Sequence, residues 1–90
     1  MATVVLVIKL LPDSPEVNFD EMKMKVQALI EPEGAKNISF EIKPIAFGLN
    51  ALMLKTDMPE EKGTDLIEQK LQSVPHVSSV TIEDYRRAFG

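Results

Sequence analysis

Three observations predict an α+β protein with four antiparallel strands in one sheet and two helices on one face. Extended apolar segments and stretches of helical periodicity follow each other in the order strand, helix, strand, strand, helix, strand. The two crossovers through a helix are expected to be right-handed, which sets both helices on the same side of the sheet. The two most apolar strands, the first and the third, are the ones this topology puts at the centre.

The first strand is expected from about Thr3 to Leu11. Val4-Val5-Leu6-Val7-Ile8 is continuously apolar and mostly β-branched, as in a strand covered on both sides or central in its sheet. Pro12-Asp13-Ser14-Pro15 then breaks the ladder, because two prolines within four residues cannot continue it. Asn18, with Glu21 three positions on, forms an Asn variant of the capping box and marks the start of the first helix. Phe19, Met22, Val26, Leu29 and Ile30 recur along one face, Met24 falls outside that stripe, and Pro32 and Gly34 end the helix.

Ile38, Phe40 and Ile42 alternate with Ser39 and Glu41, the period of a half-buried strand, here assigned to an edge. After an interruption from Pro44 to Gly48, Leu49, Ala51, Leu52, Met53 and Leu54 form the third strand, a central one. Thr64 is the expected N-cap of a second helix over roughly Asp65 to Ser73, with Leu66, Ile67, Leu71 and Val74 at helical spacing until Pro75. Val77, Val80 and Ile82, set among serines and a threonine, predict a short, polar fourth strand at the other edge. The whole is a ferredoxin-like β-α-β-β-α-β sandwich.

Ninety residues suit one domain spanning 1–90 around one core. A chain this short buries about 60 to 65% of its unfolded surface, which suffices without staples. With no cysteine, disulfides, thiolate metal sites and cysteine nucleophiles are excluded together. Fourteen acidic against ten basic residues, a formal charge of −4, argue against a nucleic-acid binder held by phosphate contacts. Met1-Ala2-Thr3-Val4 lacks the basic leader of a signal peptide, and the apolar run stops at Lys9, so a soluble cytoplasmic protein without membrane contact is expected.

Little in the chain points to catalysis. His76 is the only histidine and reads as a turn residue before the last strand. The carboxylates of Glu60-Glu61 and of Glu83-Asp84 are adjacent in sequence, point apart in regular structure, and read as solvated. The glycines at 34, 48, 63 and 90 are too scattered for a phosphate cradle. No catalytic residue, metal site or cofactor is therefore expected.

Two features ask for more. Pro44-Ile45-Ala46-Phe47-Gly48-Leu49 places a large aromatic and apolar neighbours in a connection that is ordinarily polar. Phe47 is either an exposed anchor for a partner or tucked beneath the sheet edge. The ending Tyr85-Arg86-Arg87-Ala88-Phe89-Gly90 sets two guanidinium groups just past the last strand of an acidic chain. These arginines are either a frayed terminus or a pair suited to carboxylates or phosphates.

Taken with the opening Val4-Val5-Leu6-Val7-Ile8-Lys9, the Pro12-Asp13-Ser14-Pro15 turn and Val77-Ser78-Ser79-Val80, these segments resemble archaeal translation elongation factor 1-beta over essentially the whole chain. The Pro44 to Leu49 block is the most specific part and also resembles the carboxy-terminal exchange domain of the eukaryotic factor. The resemblance implies a ferredoxin-like, non-enzymatic guanine nucleotide exchange factor for elongation factor 1-alpha, the GTPase that delivers aminoacyl-tRNA to the ribosome. It implies that Pro44, Ile45, Ala46, Phe47, Gly48 and Leu49 dock on that partner. It also implies that Arg87, or Arg86, stands where related domains carry a lysine that reaches the magnesium and phosphate region. The free protein is expected to be a monomer. Other occupants of this topology are a small-molecule-sensing regulatory module, to which the Pro12 to Pro15 loop would contribute, and an acylphosphatase-like enzyme, whose Arg and Asn phosphate loop is not evident here.

Overall fold

Burial alternates strictly along the first apolar run, and this decides the architecture. In a computed structural model, which describes residues 2–88, strand β1 (Thr3–Pro12) buries Val4, Leu6, Ile8 and Leu10 and leaves Val5, Val7, Lys9 and Leu11 half-exposed. The run is therefore central in its sheet but covered on one face only, the arrangement of an antiparallel sheet with one open side.

The remaining elements follow as α1 (Phe19–Ile30), β2 (Lys36–Pro44), β3 (Asn50–Pro59), α2 (Thr64–Gln72) and β4 (Val77–Ala88). The strands pair antiparallel in the order β2-β3-β1-β4, so the expected ferredoxin-like sheet is present with the first and third strands at its centre. Leu6, Ile8, Leu10, Leu52 and Leu54 from those two strands meet Met22, Val26 and Ile30 of α1 and Ile67 and Leu71 of α2 in one apolar cluster. Burying side chains of this size is the main favourable contribution to folding, about 1.5–3 kcal/mol each.

The helix ends explain themselves locally. The Asn18 side chain accepts a hydrogen bond from the Glu21 N–H at 3.1 Å, closing the first turn of α1 as the sequence predicts. Met24 is 72% exposed, in keeping with its place off the apolar stripe. At the far end Gly34 adopts φ +97°, and a Cβ there would lie 2.9 Å from Pro59 Cγ, so both conformation and packing select glycine. Helix α2 begins one residue earlier than expected: Gly63 occupies the N-cap, with no side-chain capping bond, and Thr64 is the first helical residue.

One buried polar group joins the sheet to the turn after α1. Thr56 is fully buried on β3, and its Oγ1 donates to the Lys36 carbonyl at 3.0 Å. That bond holds the start of β2 where its register slips by one residue between Lys36 and Ser39, beside Asn37 at φ 53°.

The last strand departs most from expectation. It is neither short nor finished before the arginines; β4 spans twelve residues and takes in both Arg86 and Arg87. The reason lies in two bulges. Leu11 and Pro12 face Ser79 and Val77, leaving Ser78 extra, while Val7 and Ile8 face Asp84 and Ile82, leaving Glu83 extra. The positions on the helix side are consequently Val77, Val80, Ile82, Tyr85 and Arg87, spaced three, two, three and two apart, a rhythm that strict alternation does not recognise.

Candidate docking site

The connection between β2 and β3 is a tight 3-10 turn, Ala46–Gly48. The Ile45 N–H donates to the Leu49 carbonyl at 2.9 Å and the Leu49 N–H to the Ala46 carbonyl at 3.2 Å, which ties the ends together. Within it Phe47 sits in the left-handed region, at φ 62° and ψ 32°. For a bulky residue this costs about 1–2 kcal/mol. Strain of this kind gathers at functional sites and persists where the surrounding structure enforces it.

The side chain recovers nothing for that cost within the free protein. Phe47 is 97% exposed, so it does not tuck beneath the sheet edge. Of the five large exposed hydrophobics among the described residues, Ile42, Ile45 and Phe47 belong to this one hairpin. A strained, exposed aromatic with two aliphatic neighbours has the composition of an interaction anchor rather than a solvated turn.

The arginines lie at the other end of the sheet. Arg87 stands opposite Val4 and Arg86 opposite Val5 on β1. Val4 is buried against the helices and Val5 faces the open side, so the two arginines leave β4 on opposite faces. Arg86 Nε meets Asp84 Oδ2 at 2.9 Å on the open side. Arg87 donates through Nε to Glu60 Oε1 at 3.0 Å and through Nη2 to the same oxygen. The hydrogen bond that Arg87 donates to Glu60, and then the charge of Glu60, raise the Arg87 pKa above its ordinary value, favouring a guanidinium that is charged in any case.

Sequence reasoning passed over these partners. Glu60, Glu83 and Asp84 stay partly exposed, in keeping with solvated carboxylates, and each also meets a cation: Glu60 pairs with Arg87, Asp84 with Arg86, and Glu83 Oε1 lies 3.9 Å from Lys9 Nζ. Glu60 and Arg87 are 27 residues apart, and they meet only because β3 and β4 flank the same end of β1, so no local pattern announces the pair.

The two features are well separated. Leu10 of β1 faces Leu52 near the start of β3, next to the Phe47 turn, whereas Val4 faces Arg87. The intervening length of β1 spans about 20 Å at about 3.3 Å per residue. They lie at opposite ends of the strands. Beside the Phe47 end an open cleft of about 650 Å³ lies between the Asp13–Val17 loop, the start of α1 and His76. His76 takes the expected turn position, at φ 70°, with Nδ1 3.4 Å from Asp13 Oδ2. The cleft mixes Asp13, Glu16 and Glu21 with Lys25, and among the described residues no group of three His, Cys, Asp or Glu side chains is placed to hold a metal ion.

Residues 5–88 match the family described as the EF-1 guanine nucleotide exchange domain. The chain is 41% identical to the elongation factor 1-beta of Methanocella arvoryzae, with 99% of this chain and 100% of that protein covered. It is 42% identical to the elongation factor 1-beta of Saccharolobus solfataricus, covering 91% of each chain. Identity to the elongation factor 1-beta of Staphylothermus marinus is 39%, over 97% of this chain and 98% of that one.

Proposed function

Because the chain belongs to the EF-1 guanine nucleotide exchange domain family, we propose that it works on its GTPase from its two ends, with an apolar anchor at one and a guanidinium at the other. The chain is a nucleotide exchange factor for elongation factor 1-alpha in translation elongation. It acts without chemistry of its own and needs no cofactor. Pro44 to Leu49 dock on the partner through Phe47, and Arg87 supplies positive charge at the phosphate and magnesium region of the nucleotide site.

The exposure of Phe47 in a strained conformation carries this reading. An anchor held ready in the free protein docks with little further ordering, which favours association. Arg87 belongs to a strand of the sheet rather than to a loose terminus, so docking at the Phe47 end fixes the place of the guanidinium. Exchange then requires no covalent step. Contacts made preferentially to the nucleotide-free GTPase weaken its hold on GDP, and by reciprocity GDP weakens its hold on the factor. A tenfold coupling corresponds to about 1.4 kcal/mol.

Further parts of the reading follow from the fold. One apolar cluster draws on both helices and the sheet, which supports a single exchange domain over the chain. Both edge strands are bulged, which discourages strand pairing between copies and supports a monomer when free. Among the described residues no helix is long and apolar enough to cross a membrane. The place of work proposed is the cytoplasm, where the GTPase meets the ribosome, with no direct contact to nucleic acid. The test is release of a fluorescent GDP analogue from the cognate GTPase: the chain should accelerate it in a concentration-dependent way, and an unchanged release rate contradicts the reading.

A further inference from the structure

We propose that Glu60 is a positioning residue for exchange, aiming Arg87 at the nucleotide site by holding the guanidinium along one edge. This rests on the reading of Arg87 as the exchange element.

Three observations converge on the pair. The first is the Glu83 bulge. An unbulged β4 continuing the alternation from Ile82 would direct Arg86 toward the helices and Arg87 toward the open face; the extra residue reverses this and turns Arg87 to the side on which Glu60 stands. The second is that Glu60 is itself fixed. It opens the short turn after β3, its backbone N–H donates to the Ala2 carbonyl at 3.0 Å, and its side chain is only 30% exposed while that of Arg87 is 69% exposed. The better-buried carboxylate is the anchor and the arginine the group that it holds.

The third observation is the mode of contact. Nε and Nη2 both donate to one carboxylate oxygen, Oε1. A guanidinium has five N–H donors in a rigid planar fork. Using the Nε–H and one Nη2–H leaves both Nη1 hydrogens and one Nη2 hydrogen outside the pair, among them the end-on Nη1/Nη2 fork that suits phosphate oxygens. The pairing favours one orientation of a long side chain that otherwise samples many rotamers, and Arg87 stays 69% exposed and open to a partner. Arg86, by contrast, is paired within its own strand to Asp84 on the opposite face.

A double-mutant cycle on the full chain tests this, with release of a fluorescent GDP analogue from the GTPase measured across factor concentrations. For Glu60→Gln the expected result is a maximal release rate lowered about fivefold, at the low end of typical couplings, with the half-saturating factor concentration unchanged. Added to Arg87→Ala, Glu60→Gln should have no further effect, because the residue acts only through that guanidinium. If Glu60→Gln leaves the maximal rate unchanged or raises it while Arg87→Ala lowers it, Arg87 remains the exchange element and the positioning role is overturned. A fall that persists in the Arg87→Ala background also overturns it, since Glu60 would then act independently. If Arg87→Ala itself leaves release unchanged, the reading of Arg87 fails instead.

Discussion

Arg86 and Arg87 are neighbours in sequence and leave β4 on opposite faces of the sheet, one bound to Asp84 and the other to Glu60. In the proposed docking, one rigid pose presents Arg87 and not Arg86 to the nucleotide site. The two substitutions should therefore differ in effect.

Arg87→Ala should lower the maximal rate of GDP release by about tenfold or more, within the range usual for coupling between two ligands. Its effect on association should be smaller. Arg86→Ala should leave the maximal rate nearly unchanged. Stopped-flow release with each variant at saturating concentration separates them; equal losses would show that both guanidiniums reach the nucleotide site.

Phe47 should behave as an interface residue with no structural duty in the free protein. Phe47→Ala removes a fully exposed ring and should change stability by less than about 0.5 kcal/mol. It should weaken association by about 30-fold, the size of a 2 kcal/mol hot spot. Titration calorimetry against the nucleotide-free GTPase, alongside thermal unfolding of the factor alone, measures both.

The left-handed conformation of Phe47 gives a prediction of opposite sign for stability. Phe47→Gly relieves about 1–2 kcal/mol of backbone strain and adds unfolded-state entropy worth about 0.5–1 kcal/mol. The free protein should come out equal to or up to about 1.5 kcal/mol more stable than wild type, while association falls at least as far as with Phe47→Ala. A clearly destabilised Phe47→Gly would mean that the ring contributes to the fold.

Two packing features outside both sites should govern stability without touching exchange. Thr56→Val keeps the shape of the side chain but strips the Lys36 carbonyl of its hydroxyl partner and should cost about 1–2 kcal/mol. Gly34→Ala meets Pro59 and an unfavourable φ at once, and should cost about 1 kcal/mol or more. Urea denaturation measures both, and the release rate at saturating folded factor should stay at the wild-type value.

The sequence exposes the fold wherever a local rule decides it. Asn18 and Glu21 announce the first helix, Pro12 to Pro15 end the first strand, and the apolar weight of the first and third strands reveals which ones are central. Phe47 stood out because an aromatic in a turn violates local expectation, although its exposure needed the three-dimensional arrangement. The fourth strand escapes a period-two rule because its two bulges change the spacing of Val77, Val80, Ile82 and Tyr85, which hides the strand's length and the facing of Arg87. The role of Glu60 was invisible for a different reason: its partner comes from a strand 27 residues away, joined through the far end of β1. Long-range pairings of that kind leave no periodic trace.

In the proposed mechanism one end of the sheet docks and the other drives exchange. The most direct measurement is the concentration dependence of GDP release from elongation factor 1-alpha with Phe47→Ala and Arg87→Ala side by side. Phe47→Ala should shift the half-saturating concentration upward and leave the maximal rate near wild type, while Arg87→Ala should lower the maximal rate with little shift in concentration. Indistinguishable curves for the two variants, or wild-type curves for both, would contradict the account.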